Sequence, residues 1–149
     1  MAERTLLTRR GVIIAAGAGA LALPAAGPAR AANPPEMDAI LAGRTPKTTG
    51  LTLDIPSIAE NGLVVPINIA VDSPMTDASH VKAVHVFATG NPNPLVATFR
   101  FTPACGRAAA SSRMRLAQTQ DVVVLAEMSN NDVLMAKSEV KVTIGGCGG

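Results

Sequence analysis

The chain has 149 residues, of which 48% are hydrophobic, 16% charged and only 2% aromatic, with a formal charge of +2. That length has room for one domain, and with three Phe and no Trp or Tyr its core must be filled by Val, Ile, Leu, Ala and Met, an aliphatic set that suits sheets. The surplus of basic residues is confined to the first 31 positions, so the clustered Lys and Arg of a nucleic-acid binder are missing from the rest.

Residues 1–31 read as an export signal. Arg4, Arg9 and Arg10 stand against Glu3, and Gly11 to Leu23 then runs without a charge, an n-region followed by an h-region too short to span a membrane as a helix. Ala29-Arg30-Ala31 supplies the small-x-small pattern for cleavage after Ala31 or Ala32. Arg9-Arg10 before Gly11-Val12-Ile13 resembles a twin-arginine signal, which implies transport of the folded protein to the periplasm. Its removal would lower the formal charge from +2 to −1, by the loss of four arginines and one glutamate.

Residues 32–49 are expected to form a short helix and a linker. Asn33 to Gly43 has proline at a first helical position, acids in the first turn and glycine at the stop, and Thr45 to Thr49 reads as linker. From there to residue 144 the period is that of strands. Thr52 to Ile55 is a short one, and Asn61-Gly62 is a turn signal. Leu63, Val65, Ile67, Ile69 and Val71 are apolar at every odd position while the even ones include Pro66 and Asn68, so Gly62 to Val71 reads as a strand with one buried face. Pro66 cannot donate to a ladder, which places that strand at an edge or at a bulge.

Further strands are expected at Val81 to Ala88, Leu95 to Phe101, Met114 to Thr119, Val122 to Met128 and Val133 to Ile144, separated by turns rich in Pro, Asn, Asp and Gly. This pattern predicts an all-β, immunoglobulin-like β-sandwich over residues 50–144. Val84 to Phe87 and Val122 to Leu125 are apolar on both faces. Either the N-terminal helix covers them or they form a protein interface.

After Ile144 the alternation stops and the chain continues Gly145-Gly146-Cys147-Gly148-Gly149. Glycine loses the most backbone entropy on ordering, so such a segment makes a flexible, slender arm. Three residues beyond Ile144, Cys147 reaches roughly 10 Å from the last strand. Nothing beside it lowers an ordinary thiol pKa of about 8.5, so its activation must come from a partner.

Other chemistry is sparse. Cys105 sits in a predicted turn, where it is a small turn residue or a disulfide partner for Cys147. His80 and His85 fall on opposite faces of a strand, and the aspartates lack metal-loop spacing. A periplasmic β-sandwich using the two Cys and two His as soft metal ligands, or serving as an interaction module, is the alternative to a carrier.

Four segments, Ile58 to Gly62 with Val64-Val65-Pro66, Asn91-Pro92-Asn93-Pro94, Arg113-Met114-Arg115-Leu116-Ala117 with Thr119-Gln120, and Val140-Lys141-Val142-Thr143-Ile144 running into the glycine-flanked Cys147, resemble the SoxY family of sulfur-carrier subunits. The resemblance implies a carrier that is not itself a catalyst and has no cofactor beyond sulfur held covalently on Cys147. Gly145, Gly146, Gly148 and Gly149 would form a swinging arm. It also implies a heterodimer with a SoxZ-type β-sandwich subunit through the outward apolar strands. A haem-containing enzyme would conjugate thiosulfate to Cys147, a hydrolase would release sulfate, and a third enzyme would oxidise the remaining sulfane sulfur. Cys105 is not part of the family pattern.

Overall fold

A computed structural model describes residues 32–145. The export signal with Arg9 and Arg10, and Gly146, Cys147, Gly148 and Gly149, lie outside the described residues.

Helix α1 (Pro35–Leu41) starts behind Pro34 and ends where Ala42 turns left-handed at φ 46°, followed by Gly43 at φ 74°. Proline at the first position loses nothing there, because that N–H has no intrahelical partner anyway. Eight strands follow: β1 (Leu51–Asp54), β2 (Ile58–Asn61), β3 (Val65–Val71), β4 (Val81–Ala88), β5 (Leu95–Arg100), β6 (Ala108–Met114), β7 (Gln120–Met128) and β8 (Val133–Ile144). They form an immunoglobulin-like sandwich of a three-stranded sheet, β1-β3-β6, and a five-stranded sheet, β2-β8-β7-β4-β5.

Between the sheets, Val65, Ile67, Ile69 and Val71 of β3 meet Val84 and Val86 of β4, Val122 and Val124 of β7 and Val140 of β8, all buried. Each such side chain contributes about 1.5–3 kcal/mol relative to exposure. A second cluster lies on the outer face of the five-stranded sheet, where Met37 of α1, with Ile40 and Leu41 beside it, covers Phe87, Val123, Leu125 and Val133. The strands that are apolar on both faces are therefore covered by the chain's own helix. The expectation that they supply an open partner interface is corrected, because the i, i+3, i+4 stripe of α1 already occupies that face.

Two strand expectations are also corrected. Pro66 lies in β3, a central strand, yet β1 pairs only with Asn68 to Val71, so at Pro66 the strand has a partner on one side alone, Arg113 of β6. Met114 to Thr119 is not a strand; β6 is instead Ala108–Met114, an Ala- and Ser-rich stretch held extended by seven register pairs with β3. A strand that the sequence pattern does not announce, β2, has only Ala59 buried and pairs in parallel with the end of β8. The linker is not free either: Lys47 makes a parallel bridge to Leu134.

Candidate functional site

The described chain ends at the root of the glycine-rich segment, and that root is built with care. Pairing of β8 with β7 stops at Val140. From Lys141 to Ile144, β8 is held from its other side by β2, and the Val142 N–H donates to Thr119 Oγ1 at 2.9 Å. The Gly62 N–H then donates to the Ile144 carbonyl at 2.7 Å, while the Gly62 carbonyl accepts from the Leu116 N–H at 2.8 Å. One buried glycine thus ties the end of β8 to the segment after β6.

Gly145 passes against the carbonyl of Ala117 so closely that a Cβ would overlap its oxygen. Ala117 has little freedom to retreat. Its N–H donates to Asn91 Oδ1 at 3.0 Å, and Asn91 Nδ2 donates to the Arg115 carbonyl at 2.8 Å. Gln120 Nε2 donates to the same Asn91 oxygen at 2.8 Å, and Gln120 Oε1 accepts from the Gly90 N–H at 2.7 Å. Asn91 and Gln120 are both buried, and a buried polar group that loses its partner is costly. The network therefore fixes the platform beneath Gly145. No local sequence signal marks these two amides as buried.

Around the root the surface is apolar. Leu63, Val64 and Ile144 are exposed, with Ile144 at 67%, and Ile58 at 60% lies further along β2. Ile144 shares the alternation of Val140 and Val142 but runs past the edge of the core. Beside this patch is an open cavity of about 390 Å³.

The remaining sequence candidates are not brought to the root. His85 is buried on the helix side of the large sheet, its Nε2 2.8 Å from Glu127 Oε1 and its Nδ1 3.0 Å from Thr98 Oγ1. His80 precedes β4 and meets the Thr76 carbonyl. Among the described residues no three His, Cys, Asp or Glu side chains come together in a manner that would hold a metal ion.

Cys105 is exposed in a 3-10 turn, Pro103–Cys105. The Thr102 backbone N–H, and after it the Thr102 hydroxyl, hold its pKa below the ordinary thiol value. This turn joins the ends of β5 and β6 that lie far from the root. Arg100 pairs with Ala83, Ala83 with Glu127 and Glu127 with Val133. Val133–Ile144 is a 12-residue strand and spans on the order of 36 Å. Two residues past Gly145 reach only about 7 Å, so a disulfide between Cys105 and Cys147 cannot close within one folded chain.

The family model described as "Sulfur oxidation protein SoxY" matches residues 37–147, ending on Cys147 itself. The chain belongs to the SoxY family. Among solved structures it is similar to the sulfur carrier protein SoxY from Chlorobium limicola f thiosulfatophilum, at 34% identity over 73% of this chain and 96% of that one, with a TM-score of 0.59. The superoxide reductase (neelaredoxin) from Ignicoccus hospitalis, at 16% identity over 64% of this chain and 81% of that one with a TM-score of 0.56, shares the fold alone. No curated protein matches. Membership in the SoxY family connects the chain to the Sox system of sulfur oxidation and to carriage rather than catalysis.

Proposed function

We propose that the chain is a covalent carrier of thiosulfate-derived sulfur, attached at Cys147 and presented on the Gly145 to Gly149 arm to successive enzymes. The observation that carries this reading is the fixed root at Gly145, two residues before the cysteine on which the SoxY match ends. A rigid platform gives a short arm a defined origin and direction.

The chemistry is supplied from outside. In the first step the Cys147 thiolate and thiosulfate join through a new S–S bond, and two electrons pass to a haem-containing conjugating enzyme. Water then cleaves the sulfur–sulfonate bond in a hydrolase, releasing sulfate and two protons and leaving a persulfide on Cys147. A sulfane-oxidising enzyme acts on that persulfide. The polar groups that fix the root are backbone amides, the Thr119 hydroxyl and the hydrogen-bonded amides of Asn91 and Gln120, none of which acts as a base. An ordinary thiol is only a few per cent ionised at neutral pH, so the enzymes must also activate it.

The reach of about 7 Å beyond Gly145 obliges each enzyme to bring its reaction centre close to the root. Leu63, Val64 and Ile144 are then pressed against it, which accounts for their exposure. The carrier would work in the periplasm, exported folded by the Arg9-Arg10 signal, as a heterodimer with a SoxZ-type subunit. Intact-mass measurement of the exported protein tests the reading: adducts of thiosulfonate and persulfide mass should appear on Cys147 and vanish on reduction. Thiosulfate oxidation undiminished by Cys147→Ser would overturn it.

A further inference from the structure

Asn61 is the one asparagine of the chain that is followed by glycine, and that pair has a chemistry of its own. The backbone nitrogen of the following residue loses its proton, attacks the side-chain amide carbon and expels ammonia, which closes a succinimide ring. Water then reopens the ring at either carbonyl, giving aspartate or isoaspartate, and in isoaspartate the main chain runs through the former side chain. Glycine favours the closure because it has no Cβ to crowd the attacking nitrogen. Asn33, Asn91 and Asn93 precede proline, whose nitrogen has no hydrogen to lose, and Asn68, Asn130 and Asn131 precede bulkier residues.

The fold prepares one half of this reaction and withholds the other. Asn61 ends β2 and is exposed, and its Oδ1 accepts from the Leu63 N–H at 2.9 Å. The amide carbon is thereby polarised, and the oxygen that takes up charge during the attack already has a donor. The attacking nitrogen is held back. Gly62 is buried and its N–H donates to the Ile144 carbonyl at 2.7 Å, so no base reaches that proton while the bond stands. The same bond ties down the end of β8, where Ile144 lies opposite Asn61 in register, and Gly145 packed on Ala117 keeps that end in place.

We propose that Asn61-Gly62 is a self-modification site gated by the root of β8, at which deamidation proceeds only from the state in which the hydrogen bond from Gly62 to Ile144 is open. Local opening takes microseconds to seconds, whereas ring closure takes hours or longer. The rate of modification therefore follows the population of the open state and not the speed of opening. The change then locks itself in. Isoaspartate inserts one extra carbon into the main chain just before Gly62, so that this residue no longer places its N–H on Ile144 and its carbonyl on the Leu116 N–H at once. The site stands apart from the carrier reading. On that reading, a rearranged chain keeps its thiol but has lost its fixed root.

The test follows Asn61 in the exported chain, kept reduced for several days at mildly alkaline pH. Peptide mapping by mass reads the conversion of asparagine to aspartate, and backbone fragmentation separates aspartate from isoaspartate. A synthetic peptide of residues 58–66 gives the rate without the gate, and Asn61 should react about tenfold more slowly in the folded chain, where a buried hydrogen bond must first be broken. In Gly145→Ala, exchange of the Gly62 amide and loss of Asn61 should rise together, each about 5-fold. Asn130 and Asn131, in the turn between β7 and β8 at the other end of that strand, should keep their wild-type rates. Urea below the unfolding transition raises opening without any substitution and serves the same comparison. Equal rates in the folded chain and the peptide would overturn the gate, as would faster Gly62 exchange under either perturbation without a matching rise in Asn61 loss. The isoaspartyl chain, separated by its extra negative charge, should have lost exchange protection at the Leu116 amide. Protection retained there would overturn the locking step.

Discussion

Replacing Gly145 by alanine is the sharpest perturbation of the root. The added Cβ would overlap the Ala117 carbonyl oxygen, and no backbone at that spacing is tolerated. Ala117 is held by Asn91 at 3.0 Å, and its neighbour Leu116 by Gly62 at 2.8 Å, so the end of β8 must move instead. Forcing a methyl group into a packed site costs about 1–3 kcal/mol. Fraying caps that penalty at the loss of the Gly62 to Ile144 hydrogen bond, about 0.5–1.5 kcal/mol. The expected result is a destabilisation of about 1 kcal/mol, a fall in Tm of about 3–5 °C for a domain of this size, and exchange of the Gly62 amide about 5-fold faster. Thermal unfolding and amide hydrogen exchange measure the two effects. A variant with wild-type Tm and wild-type Gly62 exchange would refute the argument that glycine is required at 145 by close packing.

Asn91→Ala removes the acceptor of the Ala117 N–H and of Gln120 Nε2 and the donor to Arg115 at once; a loss of about 2–3 kcal/mol is expected in denaturant unfolding, with release of the root. For Cys105 in a Cys147→Ser chain, iodoacetamide alkylation should rise with pH through an inflection below that of an ordinary thiol, since the thiolate is the reacting form. Thr102→Val should move that inflection up only part of the way, because the backbone N–H of residue 102 remains the larger influence. Asp132 is held below the usual carboxylate range chiefly by the Lys47 ammonium at 2.6 Å. Its contribution to stability is present above the unfolded carboxylate pKa and lost as pH falls through the lowered folded one. Lys47→Ala should return the Asp132 titration, followed by carboxyl NMR, toward the ordinary value.

The sequence made β4 and β8 legible to the residue because turns bound both, β4 as an apolar run buried on both faces and β8 by its alternation from Lys137 to Thr143. It concealed β2 and β6 for opposite reasons. In Ile58–Asn61 only Ala59 is buried, so no period develops. Ala108 to Ser112 has small residues without strand preference and is extended because β3 supplies a ladder, a case of pairing overriding propensity. The ambiguity over Val123, Leu125 and Phe87 had a readable answer in Met37, Ile40 and Leu41, whose helical spacing marks a face wide enough to cover them. Cys147 stands out in the sequence by its glycine setting, and it lies outside the described residues. The platform was not legible, because the contact between Gly145 and Ala117 joins residues 28 positions apart, and nothing local marks Asn91 as buried.

The placement of the two thiols bears on how such a carrier avoids disabling itself. Cys105 is exposed and has its ionisation eased by Thr102, which raises its thiolate fraction and with it its reactivity. On the carrier reading proposed above, a second thiol near the root would attack a thiosulfonate on Cys147 and displace the cargo as an intramolecular disulfide formed. A 12-residue strand separates the Cys105 end of the sandwich from Gly145, a span on the order of 36 Å that the arm falls far short of. The same encounter between two molecules remains open, but its rate depends on concentration. On that reading the length of β8 would turn a fast internal side reaction into a slow bimolecular one, while Asn91, Gln120 and Gly62 hold Gly145 at the opposite end.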